Sequence, residues 1–135
     1  MPGVLGSGSL REAVALGERV GFVFLVTSSD DGIPHLAVAG RISGPGGARV
    51  VAKEWFCPIT MANVRENPAV AMVVWDRTDD TGYQMVGRVV DVRDLAMVDG
   101  YAPGQEPVPQ VERELVIRVA DVLRFRQGPH SDVAR

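Results

Sequence analysis

The period of apolar positions changes sharply along this chain. Leu10, Val14 and Leu16 recur at roughly helical spacing behind an S-x-x-E capping box formed by Ser9 and Glu12. The spacing predicts a short amphipathic helix over 9–18, stopped by Gly17 or Gly21. GFVFLVTSS (21–29) is then apolar and β-branched, as a strand should be. DDG (30–32) is a hairpin signal, and IPHLAVAGRIS (33–43) reads as the returning strand with Pro34 at its start. GPGG (44–47) is a second tight turn, and ARVVAKEW (48–55) a third strand. PITMANVREN is a brief helix, bounded by Pro58 in front and Asn67-Pro68 behind. AVAMVVWD (69–76) follows as a fourth strand, RTDDTG (77–82) as a turn, and YQMVGRVVDVRD (83–94) as a fifth strand. Gly87 inside that strand predicts a bulge or a close backbone approach. DLAMVDGY is expected to form a helical turn, and PGQEPVP (103–109) holds too much proline for regular structure. In the last strand, 113–126, Leu115, Ile117 and Val119 alternate with Glu114 and Arg118, which leaves one side facing solvent.

Six strands linked mostly by hairpins predict an antiparallel barrel, because closure removes the edges an open sheet exposes. Side chains fill so narrow a barrel, so a ligand is expected outside it, in a crevice between subunits. The fold class is mainly β with short helices, in a single domain over 1–135.

Composition narrows the function classes. The net charge of −3 offers no clustered basic surface for nucleic acid. No apolar run approaches the length of a membrane span, and the N-terminus lacks the pattern of a signal peptide. One cysteine permits no internal disulfide, so a reducing cytoplasm is expected. His35 and His130, with one cysteine, give no zinc spacing, and no metal site is expected. GPGGAR lacks the Lys-Ser/Thr ending of a P-loop. Asp30-Asp31 and Asp79-Asp80 read as solvated turns.

The brief helix carries the candidate chemistry. Pro58 suits the first helical position, or Thr60 caps instead, with Asn63 three residues on. In either case several amides over 58–61 lack an intrahelical partner, and the helix dipole adds partial positive charge. Such an end either takes up a phosphate or faces water. Cys57 beside it could be held as thiolate, although a lone cysteine is more commonly a small buried hydrophobe, and that is the expectation here. His35 is expected to be an ordinary strand residue.

The succession FVFLVTSSDDGIPHLAVAG, ARVVAKEW, PITMANVRENPAVAMVVWD and GYQMVGRVVDV, over 21–93, resembles the flavin-binding split-barrel family, which includes pyridoxamine 5'-phosphate oxidase. The resemblance implies a six-stranded antiparallel split β-barrel that works as a homodimer, with FMN in a groove where the subunits meet. It implies that Val38, Ala39, Gly40 and Val51, Ala52, Lys53 line the flavin ring. Trp55, Thr60 and Asn63 would lie on the phosphate side, and Gln84 would reach the partner's flavin. Trp55 could instead serve core packing or a dimer contact. The chain departs from the family's pattern at Ile59, just before Thr60, and in an apolar LAVAG run that reaches its first cation at Arg41. Arg41, Lys53 and Arg65 are the remaining cations for a phosphate. So small a set implies weaker binding, a deazaflavin, or no flavin. No side chain is an obvious acid, base or nucleophile, which suits an oxidoreductase or flavin carrier whose chemistry belongs to its cofactor. The alternative is a non-enzymatic split-barrel dimer that binds haem or a small metabolite, or a deazaflavin-dependent reductase.

Overall fold

Gly21 ends the first helix by taking φ +96°, a conformation that suits glycine, and its amide donates to the Gly17 carbonyl at 2.9 Å. A computed structural model describes residues 7–55, 57–100 and 108–128, with side chains over 10–55, 57–94 and 113–128. His130 and most of PGQEPVP lie outside the described residues. In chain order the elements are α1 (Ser7–Val20), β1 (Val23–Ser28), β2 (Pro34–Ala39), β3 (Arg41–Gly46) and β4 (Arg49–Trp55). They continue with α2 (Pro58–Glu66), β5 (Ala69–Asp76), β6 (Thr81–Gly100) and β7 (Val108–Phe125). α1 begins two residues before Ser9, so Ser9 is not its N-cap, and Glu12 instead accepts a hydrogen bond from Tyr83 Oη at 3.0 Å.

The class is as expected, mainly β with two helices, but the described residues form seven strands where the sequence suggested six. Gly40 breaks the predicted strand 33–43 into β2 and β3. All seven belong to one sheet in the order β2-β1-β5-β6-β7-β4-β3. The edge strands β2 and β3 are thus neighbours in the chain and opposite in the sheet. They meet at a corner, where the Gly40 amide donates to the Glu54 carbonyl at 3.1 Å. No ladder joins β2 to β3 among the described residues, so the sheet is not closed into a ring. A Cβ on Gly40 would stand 3.2 Å from Glu54 Cβ, and Glu54 itself has φ +58°. That left-handed residue sits in the register shift of β4 against β7, between Ala52 and Trp55.

Two further expectations give way. Within DLAMVDGY, residues 94–100 continue β6 and form no helical turn, because they pair far along the chain, Ala96 with Glu112 and Gly100 with Val108, and Tyr101 lies outside the described residues. For the same reason β7 starts at Val108, inside the proline-rich run. The GPGG turn is displaced: β3 runs to Gly46, and the chain reverses at Gly47-Ala48. The bulge expected at Gly87 is present as a register shift, and a Cβ there would run into the Arg118 carbonyl.

The inner face of the curved sheet is filled by side chains, among them Leu25, Met72, Met85, Leu115 and Ile117. α1 closes one end of it with Leu10, Ala13, Val14 and Leu16. α2 packs on β1 and β2, where Asn63 Nδ2 donates to the buried hydroxyl of Thr27 at 3.0 Å. Asn67 ends α2 in extended geometry before Pro68, as expected, and its side chain donates to Ser28 Oγ at 3.0 Å. No helix among the described residues is long and apolar enough to cross a membrane.

Candidate functional site

Register places two cations face to face beside the Gly40 corner. Arg41 on β3 is the direct cross-strand partner of Lys53 on β4, and Ser43 is the partner of Val51. These four share the outer face, since Ile42 and Ala52, one step along, enter the core. Beside them lies a groove of about 540 Å³, lined by Gly17, Glu18, Gly21, Gly40, Arg41 and Lys53 together with Ile42 and Ser43. Lys53 Nζ lies 3.4 Å from Glu114 of β7, which Arg93 Nη1 approaches at 3.8 Å. Arg41 makes no ion pair among the described residues. Three of the sequence-predicted residues, Gly40, Arg41 and Lys53, are therefore brought together. Val51 and Ala52 adjoin them on β4 but are buried, Ala52 in the core.

The head of α2 is a second focus. Pro58 takes the first helical position, as expected, and Cys57 is the N-cap residue. Thr60 lies inside the first turn and is not the cap. It is fully buried, and its hydroxyl makes no well-formed hydrogen bond. Half-buried Cys57 places Sγ 3.0 Å from Nε2 of His35, which β2 turns inward opposite Thr27. Sγ forms no regular capping bond, yet it lies where the first turn's amides act on it. Burial raises the thiol's pKa. The Thr60 amide and hydroxyl, His35 and the Ile59 amide outweigh that and bring it below its ordinary value, to about 7. Cys57 is thus not the inert hydrophobe expected, and His35 is not an ordinary strand residue. Reading residue by residue missed the pair, because 22 positions separate its members. One signal was available: His35 has the same parity as Ala37 and Ala39, so it faces inward, toward α2.

The remaining expected site residues lie elsewhere. Ala39 is in the core, and so is Trp55, 1% exposed and with its indole N–H unpartnered. Asn63 commits its amide to Thr27. Arg65 is in the last turn of α2, at the opposite end from Cys57. Val38 and Gln84 belong to one row across the outer face: Val38, Phe24, Val73 and Gln84 follow one another on β2, β1, β5 and β6. A second row, Leu36, Val26, Ala71 and Val86, runs beside it. Leu36 is 54% exposed and Val38 50%, and the rings of Phe22 and Phe24 meet edge to face at 5.5 Å. Four strands thus present a nearly unbroken apolar face. No cluster of three metal-binding side chains occurs among the described residues.

Comparison with known proteins covers nearly the whole chain. The family model described as pyridoxamine 5'-phosphate oxidase matches residues 10–125. Among curated proteins, no sequence matches significantly. The fold is similar to that of HupZ from Group A Streptococcus, at 17% identity and a TM-score of 0.64, over 91% of this chain and 97% of that one. It is similar to an FMN-binding protein from Syntrophomonas wolfei, at 15% identity and a TM-score of 0.59, over 87% and 86%. It is also similar to an F420 reductase, at 22% identity and a TM-score of 0.57, over 80% and 93%.

Proposed function

Because the chain belongs to the pyridoxamine 5'-phosphate oxidase family, whose model spans residues 10–125, we propose that it is a flavin-binding oxidoreductase or flavin carrier holding FMN at a seam between two copies of itself. The observation that carries this reading is the opposed pair Arg41 and Lys53 beside the groove. Like charges directly opposite each other destabilise a sheet; here Glu114 offsets Lys53, while Arg41 has no ion pair among the described residues. A phosphate with a charge of about −1.5 to −2 relieves that repulsion and accepts charge-assisted hydrogen bonds from both. The groove's volume lies within the ordinary range for small-molecule sites. Once bound, the flavin ring supplies the redox chemistry. The chain's own part is to fix it: Gly40 lets the backbone approach, exposed Val38 offers apolar surface, and Arg41 and Lys53 hold the anionic end. The apolar rows through Val38 and Gln84 are the surface a second copy covers, which would bring Gln84 toward the partner's flavin. A reduced thiol at Cys57 suits a cytoplasmic protein.

A deazaflavin is the second reading. The first amides of α2 already act on Cys57, which leaves Arg41 and Lys53 as the main anion holders. A solved structure of similar fold is an F420 reductase. The visible spectrum of the purified protein, followed by fluorescence titration with FMN and with a deazaflavin, tests both readings. FMN is expected to bind, and more weakly to the Arg41→Ala, Lys53→Ala double variant. Colourless protein that leaves the fluorescence of both cofactors unchanged would sink the proposal.

A further inference from the structure

We propose that Cys57 is a modification site: a nucleophilic thiolate that reacts with small electrophiles, hydrogen peroxide first among them, at the head of α2. The idea stands whether or not a flavin is bound. Three elements of geometry converge on Sγ. His35 Nε2, carried by β2, lies 3.0 Å away, so Nε2–H donates to the sulfur once the thiol proton has gone. The amides of Ile59 and Thr60, in the first turn of α2, add their partial positive charge. Thr60 supplies the independent observation. Its hydroxyl is wholly buried, faces the thiol and makes no well-formed hydrogen bond. A buried polar group left so costs roughly 1–3 kcal/mol, which points to an acceptor that arrives later. Cys57 is only half-buried, so a small reagent reaches it.

The reaction balances with peroxide as the named oxidant. A sulfur lone pair attacks one peroxide oxygen, the S–O bond forms and the O–O bond breaks. Hydroxide leaves and takes a proton to become water. Sulfur is oxidised to a sulfenic acid, and peroxide is reduced. The new oxygen is the acceptor that the Thr60 hydroxyl lacks. The groups acting on the sulfur are His35 from β2 and Ile59 and Thr60 from α2; no carboxylate among the described residues does so.

Cys57 is the chain's single cysteine, so thiol chemistry on the whole protein reports on it alone. The test is the rate of iodoacetamide alkylation against pH, together with dimedone trapping after a pulse of peroxide, read by mass spectrometry. The folded wild type is expected to show a midpoint near 7, against about 8.5 for the urea-unfolded chain. It is also expected to yield a dimedone adduct at Cys57. His35→Gln should move the midpoint upward, and Thr60→Val should lower the adduct yield when dimedone is added after a delay, because the sulfenic acid is then shorter-lived. A wild-type midpoint at or above that of the unfolded chain, or peroxide treatment without an adduct, would overturn the proposal. Both outcomes are read on the unaltered protein, so a variant that fails to fold does not protect the idea.

Discussion

The outer surface of the sheet divides into two halves of opposite character on one continuous ladder. On β2, β1, β5 and β6 it is apolar: Leu36, Val26, Ala71 and Val86 in one row, and Val38, Phe24 and Val73 in the next, until Gln84. On β3, β4 and β7 it carries Arg41, Lys53 and Glu114 around the buried Val51 and Val116. Backbone pairing is unbroken through the first half, whereas the β3–β4 and β4–β7 ladders of the second each carry a register shift. The first half gains by removing apolar surface from water. The second sets Arg41 opposite Lys53, with Glu114 beside Lys53. Under the proposed function the first half meets a second copy and the second an anion, and the Gly40 corner joins them.

The sharpest way to break this division is a charge in the apolar half. On the proposal that a second copy covers the apolar rows, Val73→Glu is expected to turn dimer to monomer and raise its dissociation constant at least about a hundredfold, since an unpaired charge buried in an interface costs about 3–5 kcal/mol. Light scattering reads the mass, and Arg118→Glu, an exposed change on the charged half, should leave it unaltered. An unchanged mass for Val73→Glu would show that the apolar rows serve something other than a second copy. Next in size, Arg41→Ala or Lys53→Ala should each weaken FMN binding about tenfold, because a hydrogen bond to a charged group is worth about 1.5–3 kcal/mol. Equal affinity in a fluorescence titration would move the anion site away from the corner.

Smaller effects test the supports beneath the two halves. Tyr83→Phe removes the bond to Glu12 and should cost about 1 kcal/mol in urea unfolding at neutral pH. Burial, and then Glu12 as acceptor, raise the phenol's pKa. The contribution of Tyr83 is therefore complete below the ordinary tyrosine value and fades as pH rises through the folded one. The wild type should thus lose its advantage over the variant only in strong alkali. The least effect is expected at Asp80. The Gln127 amide holds its carboxyl below the ordinary value against the opposing effect of burial, with help from the Trp75 indole, the Gly128 amide and the charge of Arg126. A lowered pKa gives stability that is present above the unfolded value and lost as pH falls through the folded one. Melting temperatures of wild type and Asp80→Asn should converge in acid below about pH 4. Curves that stay parallel there would remove Asp80 from the acid response.

Most of this fold is written locally. Apolar, β-branched runs marked β1 and β5, alternation gave the inward Leu115, Ile117 and Val119 of β7, and glycine marked the turn at Gly32 and the bulge at Gly87. The ribbon formed by the ends of β6 and β7 escaped, because Asp94 and Gly100 carry no strand signal of their own and pairing to Arg113 and Val108 supplies the order. Gly40 escaped as well: within LAVAGRIS the apolar run looks continuous, and the break appears only once Glu54 packs against it. At the candidate site, Arg41, Lys53 and Thr60 were legible as donors. That Asn63 serves Thr27, that Trp55 serves the core and that His35 meets Cys57 all depend on how α2 settles on β1 and β2, which no short window of sequence encodes.

Asp80 also gives the molecule a gauge of its own. Its carboxylate accepts the Trp75 indole N–H at 3.1 Å and the amides of Gln127 and Gly128 at 2.7 and 3.1 Å. The tail that leaves β7 is thereby wired to a chromophore on the far side of a turn. Emission from Trp75 should report whether that tail is seated, against the steady background of Trp55, sealed from solvent in the interior. A fusion or truncation made just past Gly128 could be checked in a cuvette before any assay is run.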